Sequence, residues 1–107
     1  MESNIDFEKL QKLIDSMYEG NIDDITTGIN HAGALIRVNA VLAIAENSLK
    51  DDKIIQMLIK LKEDNVKIDG IRVGDYAHGL LDVYGIEKYQ GDSLLIKELI
   101  QDGFILK

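Results

Sequence analysis

The segment Ile36-Arg37-Val38-Asn39-Ala40 returns in altered form as Ile71-Arg72-Val73-Gly74-Asp75, 35 residues further along the chain. An apolar-Arg-Val triplet that recurs at such a distance is the mark of a stacked helical repeat. A unit of this kind cannot bury its apolar side alone, so it packs on its neighbour and leaves a broad outer surface. Composition agrees. Leu and Ile dominate a chain that is 46% hydrophobic, and only two Phe and four Tyr supply the aromatics. That balance suits helices joined along aliphatic seams better than a sheet sandwich. Proline is absent, so nothing forces a helix to break, and turns must rest on Gly, Asn and Asp.

Apolar spacing divides the chain into five to six helices. Phe7, Leu10, Ile14 and Met17 recur at intervals of 3, 4 and 3, which predicts a helix over 4–19. Ser3 or Asn4 would cap it and Gly20-Asn21 would end it. Ile22, Ile25 and Ile29 predict a short second helix, with Asp23 or Asp24 near its positive end. After the linker His31-Ala32-Gly33, residues 34–49 form the most apolar stretch. Leu35, Val38, Leu42, Ala45 and Leu49 make one seam, and Val41 and Ile44 add a second stripe. A helix with so few polar positions belongs at the centre of the fold. Asp51-Asp52 then caps a helix over 52–63. Residues 65–70 read as a loop, with Asp69-Gly70 signalling the start of a helix over 71–84. Val73, Tyr76, Ala77, Leu80 and Tyr84 face its core, Gly85 ends it, and Ile86 folds back as the apolar contact of a glycine cap. Gly91-Asp92-Ser93 opens a last helix over 92–102, with Leu95, Ile96, Leu99 and Ile100 inward. Gly103 stops it, and Phe104-Ile105-Leu106 covers the end of the stack. The expectation is one all-α domain over residues 1–107.

The formal charge is −7, and it is unevenly spread. The first thirty residues hold seven acids and two lysines. Nucleic-acid binding is disfavoured, because neutralising phosphates needs a basic surface. An acidic end can instead steer a basic protein, or simply keep the chain solvated. There is no cysteine, so disulfides and thiolate metal sites do not enter. No apolar stretch approaches bilayer length, and Met1-Glu2-Ser3-Asn4 does not resemble a targeting signal. A soluble, cytoplasmic protein is expected.

Arg72, Asp75, His78 and Asp82, at spacings of 3, 3 and 4, lie along one side of a helix. They form either a polar contact patch or the solvated back of an amphipathic helix, and the solvated back is the expected reading. His78 beside Asp82 lacks the nucleophile, phosphate loop or second acid/base cluster that catalysis would need. His31 and His78 are the only histidines, without the spacing of a zinc pair. Asp23-Asp24 and Asp51-Asp52 read as helix starts rather than cation ligands. Tyr76 and Tyr84 fall on the core seam, whereas Tyr89, in a loop, is the expected exposed contact. Gly74 and Gly79 each cost about 1 kcal/mol in a helix interior, and close helix approach is the expected reason to keep them. The contact residues so singled out are Arg72, Asp75, His78, Asp82, Tyr89, Asp23 and Asp24. No metal or other cofactor is expected.

The run Ile36-Arg37-Val38-Asn39-Ala40-Val41-Leu42-Ala43-Ile44-Ala45, followed by the apolar ridge from Asp52 to Asp64, resembles a HEAT or HEAT-like repeat over about residues 30–102. The family's turn proline is missing here, and Arg follows Ile in both copies. The resemblance implies a short right-handed stack of antiparallel helix pairs, an α-α superhelix. Residues 1–30 would be N-terminal capping helices, 34–64 a first repeat, 69–102 a second and 103–107 an apolar tail. It implies that Arg37 and Arg72 hold neighbouring repeats together through a carboxylate. It also implies protein binding, and it carries no catalytic residues. The expected function is therefore a non-catalytic module that occludes a partner protein and exists as a monomer or weak homodimer. A bacterial immunity protein that neutralises a basic toxin or nuclease is a specific form of that reading. The alternative is a self-associating structural or adaptor module. A DNA-repair or lyase-type HEAT-like enzyme is the least supported, since no basic groove accompanies the repeat.

Overall fold

The computed structural model describes residues 6–105. Within them the chain forms α1 (Phe7–Tyr18), α2 (Ile22–Ile29), α3 (Ala34–Glu46), α4 (Asp52–Leu61), a hairpin of β1 (Lys67–Ile68) and β2 (Ile71–Arg72), then α5 (Val73–Val83) and α6 (Leu94–Gln101). The fold is all-α. Four helices start on a side chain that accepts from a backbone N–H three residues on. Asp6 takes Lys9 at 3.0 Å, Asn21 takes Asp24 at 3.0 Å, Asp51 takes Ile54 at 2.9 Å and Ser93 takes Ile96 at 3.2 Å. Each such bond contributes about 1 kcal/mol by satisfying an orphan donor of the first turn. The proposed caps Ser3 and Asn4 lie outside the described residues.

Helix α3 is the centre, as its apolar run requires. Ala40, Val41, Ala43 and Ile44 are wholly buried. It packs on α1 and on α2 at one side and on α5 at the other, while α4 and α6 both pack on α5. The C-terminal ends of α1, α3 and α5 lie together. Asn47 Nδ2, just past α3, donates to Tyr18 O at 3.1 Å. Tyr84, just past α5, reaches Ile44 O at 3.4 Å, and Lys50 Nζ sits 5.1 Å from the Tyr84 ring centre. The N-terminal ends of α3 and α5 also meet, at Asp64. Alternate helices thus run side by side in one direction, in a body 46 × 29 × 27 Å.

Several expectations need correction. Asp69-Gly70 does not start a helix. It is the two-residue turn of a hairpin, pairing Lys67 with Arg72 and Ile68 with Ile71. Both residues have positive φ, 51° and 82°, the geometry that matches the right-handed twist of paired strands. The triplet Ile71-Arg72-Val73 therefore differs in local structure from Ile36-Arg37-Val38, which lies inside α3. Leu35, Leu95 and Ile86, expected to face inward, are exposed. Tyr76 and Tyr84 are half-buried. Phe104 does cover α5 and is 2% exposed, whereas Ile105 faces water and Leu106 lies outside the described residues.

The close approach predicted at Gly74 is to backbone. A Cβ there would overlap Lys62 O and come within 2.8 Å of Asp64 O. Gly79 likewise faces Ile96 and Phe104 at 2.8 and 3.0 Å. Side chains can yield but the 62–64 backbone cannot, so Gly74→Ala should lower unfolding free energy by about 3 kcal/mol or more, read from the urea midpoint. A loss under about 1 kcal/mol would show that the junction is loose.

Candidate functional site

Two polar assemblies gather most of the residues that the sequence singles out. The first is a junction where α4 ends. Asp64 Oδ2 accepts from Arg37 Nε at 2.7 Å, and its Oδ1 accepts from Val66 N at 3.0 Å. Arg37 Nη1 also donates to the carbonyls of His31 and Ala32 at 2.8 and 2.9 Å. The second arginine reaches the same place from the end of β2, just before α5. Arg72 donates to Asn65 Oδ1 at 2.9 Å, to Lys62 O at 3.1 Å and to Asp75 Oδ1 at 2.9 Å. Both repeat-position arginines thus act on residues 62–65. Arg37 uses the Asp64 carboxylate, and Arg72 pairs with Asp75 in the first turn of the helix that follows it.

The second assembly fixes the segment between α5 and α6, residues 84–93, across the polar side of α5. This face is not the solvated back of a helix. His78 is 8% exposed, and its Nε2 lies 2.8 Å from Lys88 O and 3.3 Å from Glu87 Oε2. Glu87 in turn accepts from Lys62 Nζ at 2.6 Å, which ties the segment to the end of α4. Asp82 Oδ2 accepts from Tyr89 N at 2.8 Å. Tyr89, expected as an exposed contact, is also 8% exposed. Its ring meets His78 edge-on at 5.3 Å, and its hydroxyl accepts from Ser93 N at 3.3 Å. A Cβ on Gly91 would strike that ring. A sequence signal was available: a small residue two positions after a loop aromatic leaves room for the ring to fold under the chain.

The remaining candidates stand elsewhere. Asp23 is exposed in the first turn of α2, while Asp24 accepts a short hydrogen bond from Ser16 Oγ. Asp24 also borders an open groove of about 730 Å³ between α1 and α2, with Lys9, Leu10, Leu13 and His31. Among the described residues, no group of three or more His, Asp or Glu could hold a metal ion. No helix among them is long and apolar enough to cross a membrane. Chemically, the polar groups of the two assemblies are bonded chiefly to one another, which makes them fasteners. Against family models, curated proteins and solved structures, the chain has no significant match.

Two groups contribute opposite pH dependences. Burial pushes the Tyr84 phenol up to about 12. The hydrogen bond from Lys62, against a lesser opposing effect of desolvation, holds the Glu87 carboxyl below its usual range, and the charges of Lys62 and His78 help. A raised folded pKa gives stability that is complete below the ordinary tyrosine value and lost as pH rises through about 12. A lowered one gives stability present above the ordinary glutamate value and lost as pH falls through the depressed value. Urea midpoints should therefore fall at both extremes. Tyr84→Phe should flatten the alkaline arm and Glu87→Gln the acid arm; arms unchanged by these substitutions would contradict the assignment.

Proposed function

We propose that this chain is a non-catalytic protein-binding module that acts by covering a basic partner protein. The observation that carries the reading is the placement of charge. Asp6, Glu8, Asp15, Glu19 and Asp23 all stand exposed on α1, at its ends and at the start of α2, against Lys9 and Lys12. None of these acids belongs to an ion pair among the described residues, so their charge is available to attract a partner without unfolding anything. Opposite charge speeds encounter and aligns the partner. The side-by-side run of α1, α3 and α5 is the kind of arrangement expected of a HEAT-like stack, which supports a binding role. Within this class a bacterial immunity protein that blocks a basic toxin or nuclease is the sharpest form.

A second reading is favoured by the last helix. Leu94 is 76% exposed, and Leu95 and Ile105 are also open to solvent, a surface that two copies can bury together. Sedimentation separates the two: a monomer at high concentration removes self-association.

The main reading is tested by titrating basic nuclease domains with the protein while following both association rate and nuclease activity. One of them should be silenced at an equimolar ratio. Reversing Asp15, Glu19 and Asp23 to Lys should slow association by about tenfold or more at low salt. If no basic domain is bound, or if charge reversal leaves the rate unchanged, the reading is wrong.

A further inference from the structure

Helix α2 packs chiefly on α1 and α3, and helix α4 chiefly on α5. The two helices are left as the walls of a groove of about 640 Å³. Ile29, Met57 and Leu61 give it an apolar floor, and Thr26 Oγ1 of one wall lies 3.7 Å from Met57 Sδ of the other. Lys53, Met57 and Lys60 follow one another at spacings of 4 and 3, on one side of α4.

The groove does not share the acidic excess of the chain, since two lysines and two acids line it. Lys53 and Lys60 are both exposed, and among the described residues neither belongs to an ion pair. Asp64 also borders the groove, but its carboxylate is taken by Arg37. Glu63 is the one remaining acid among the groove's lining residues. Two lysines outside any ion pair, against the single acid Glu63, therefore flank a methionine-centred apolar floor on a chain of net charge −7. Methionine is a surface that adapts to another protein's apolar side chains.

We propose that this groove docks an amphipathic helix of a partner protein that presents an apolar ridge with an acidic residue at each end. The spacing selects the register. Lys53 and Lys60 are separated by seven helical residues, roughly 10.5 Å along the axis. A helix laid along α4 matches them with acids at positions i and i+7 and fills the floor with apolar residues at i+3 and i+4. The groove and its occupant are independent of the acidic surface on α1, and failure of either leaves the other standing.

The probe is a fluorescein-labelled helical peptide with Glu at i and i+7 and Leu at i+3 and i+4, followed by anisotropy at low salt. Saturable binding is expected, weakening as salt screens the exposed charges. Reversing both lysines, Lys53→Glu with Lys60→Glu, should weaken it by about tenfold or more. Circular dichroism checks that the variant remains folded, and the salt titration of the unaltered protein reports the same interaction without any substitution. A peptide with Lys in place of both Glu should not compete. Absence of saturable binding, binding indifferent to salt, or equal binding of the Lys peptide would overturn the proposal.

Discussion

Asp64 is the residue on which the arrangement of helices depends. Its carboxylate holds Arg37 of α3, and its carbonyl accepts from Gly74 N at 2.9 Å, in the first turn of α5. Two residues on, Val66 O accepts from Val73 N at 2.8 Å. Helix α5 has no side-chain cap of its own. The backbone of 64–66 takes that place and satisfies donors that would otherwise be orphaned. The arrangement works only with a residue at 74 that has no side chain, and with a sharp reversal at Asp69-Gly70 that brings α5 back to the end of α4. One short segment thus fixes where the second half of the molecule begins against the first.

The helices were legible because their signals are local. The repeated apolar spacing, the caps at Asp51 and Ser93, and the apolar wealth of α3 each correspond to a feature of the fold. The hairpin was not legible as read, because Asp-Gly serves equally to open a helix and to turn a strand pair. The alternation Lys67, Ile68, Ile71, Arg72 around it was the discriminating signal. Leu35 and Leu95 show a different limit. Periodicity gives the direction of an apolar stripe, but its width depends on which neighbours arrive, and none covers those two positions. Of the stripe Arg72, Asp75, His78 and Asp82, the last three share α5 while Arg72 ends β2, and the covering of His78 and Asp82 by residues 84–93 is a contact that spacing on α5 does not encode.

Consumption of those polar groups shapes what the surface can do. His78, Asp82 and Tyr89 act inward, holding a connection between helices; they do not form an open patch. Lys62 extends the same network to α4, so both assemblies converge on the end of one helix. What faces outward is the acidic first unit, the lysine-edged groove between α2 and α4, and the leucines of α6.

Native-state hydrogen exchange at the amides of Val73 and Gly74 tests this account most directly. First-turn amides of a helix without a side-chain cap ordinarily exchange fast, since they lack intrahelical partners. If the 64–66 backbone joins the two halves, both amides will be protected to the level of core amides such as those of Ala77 and Leu80. Rapid exchange at 73 and 74, with the rest of α5 protected, would contradict it.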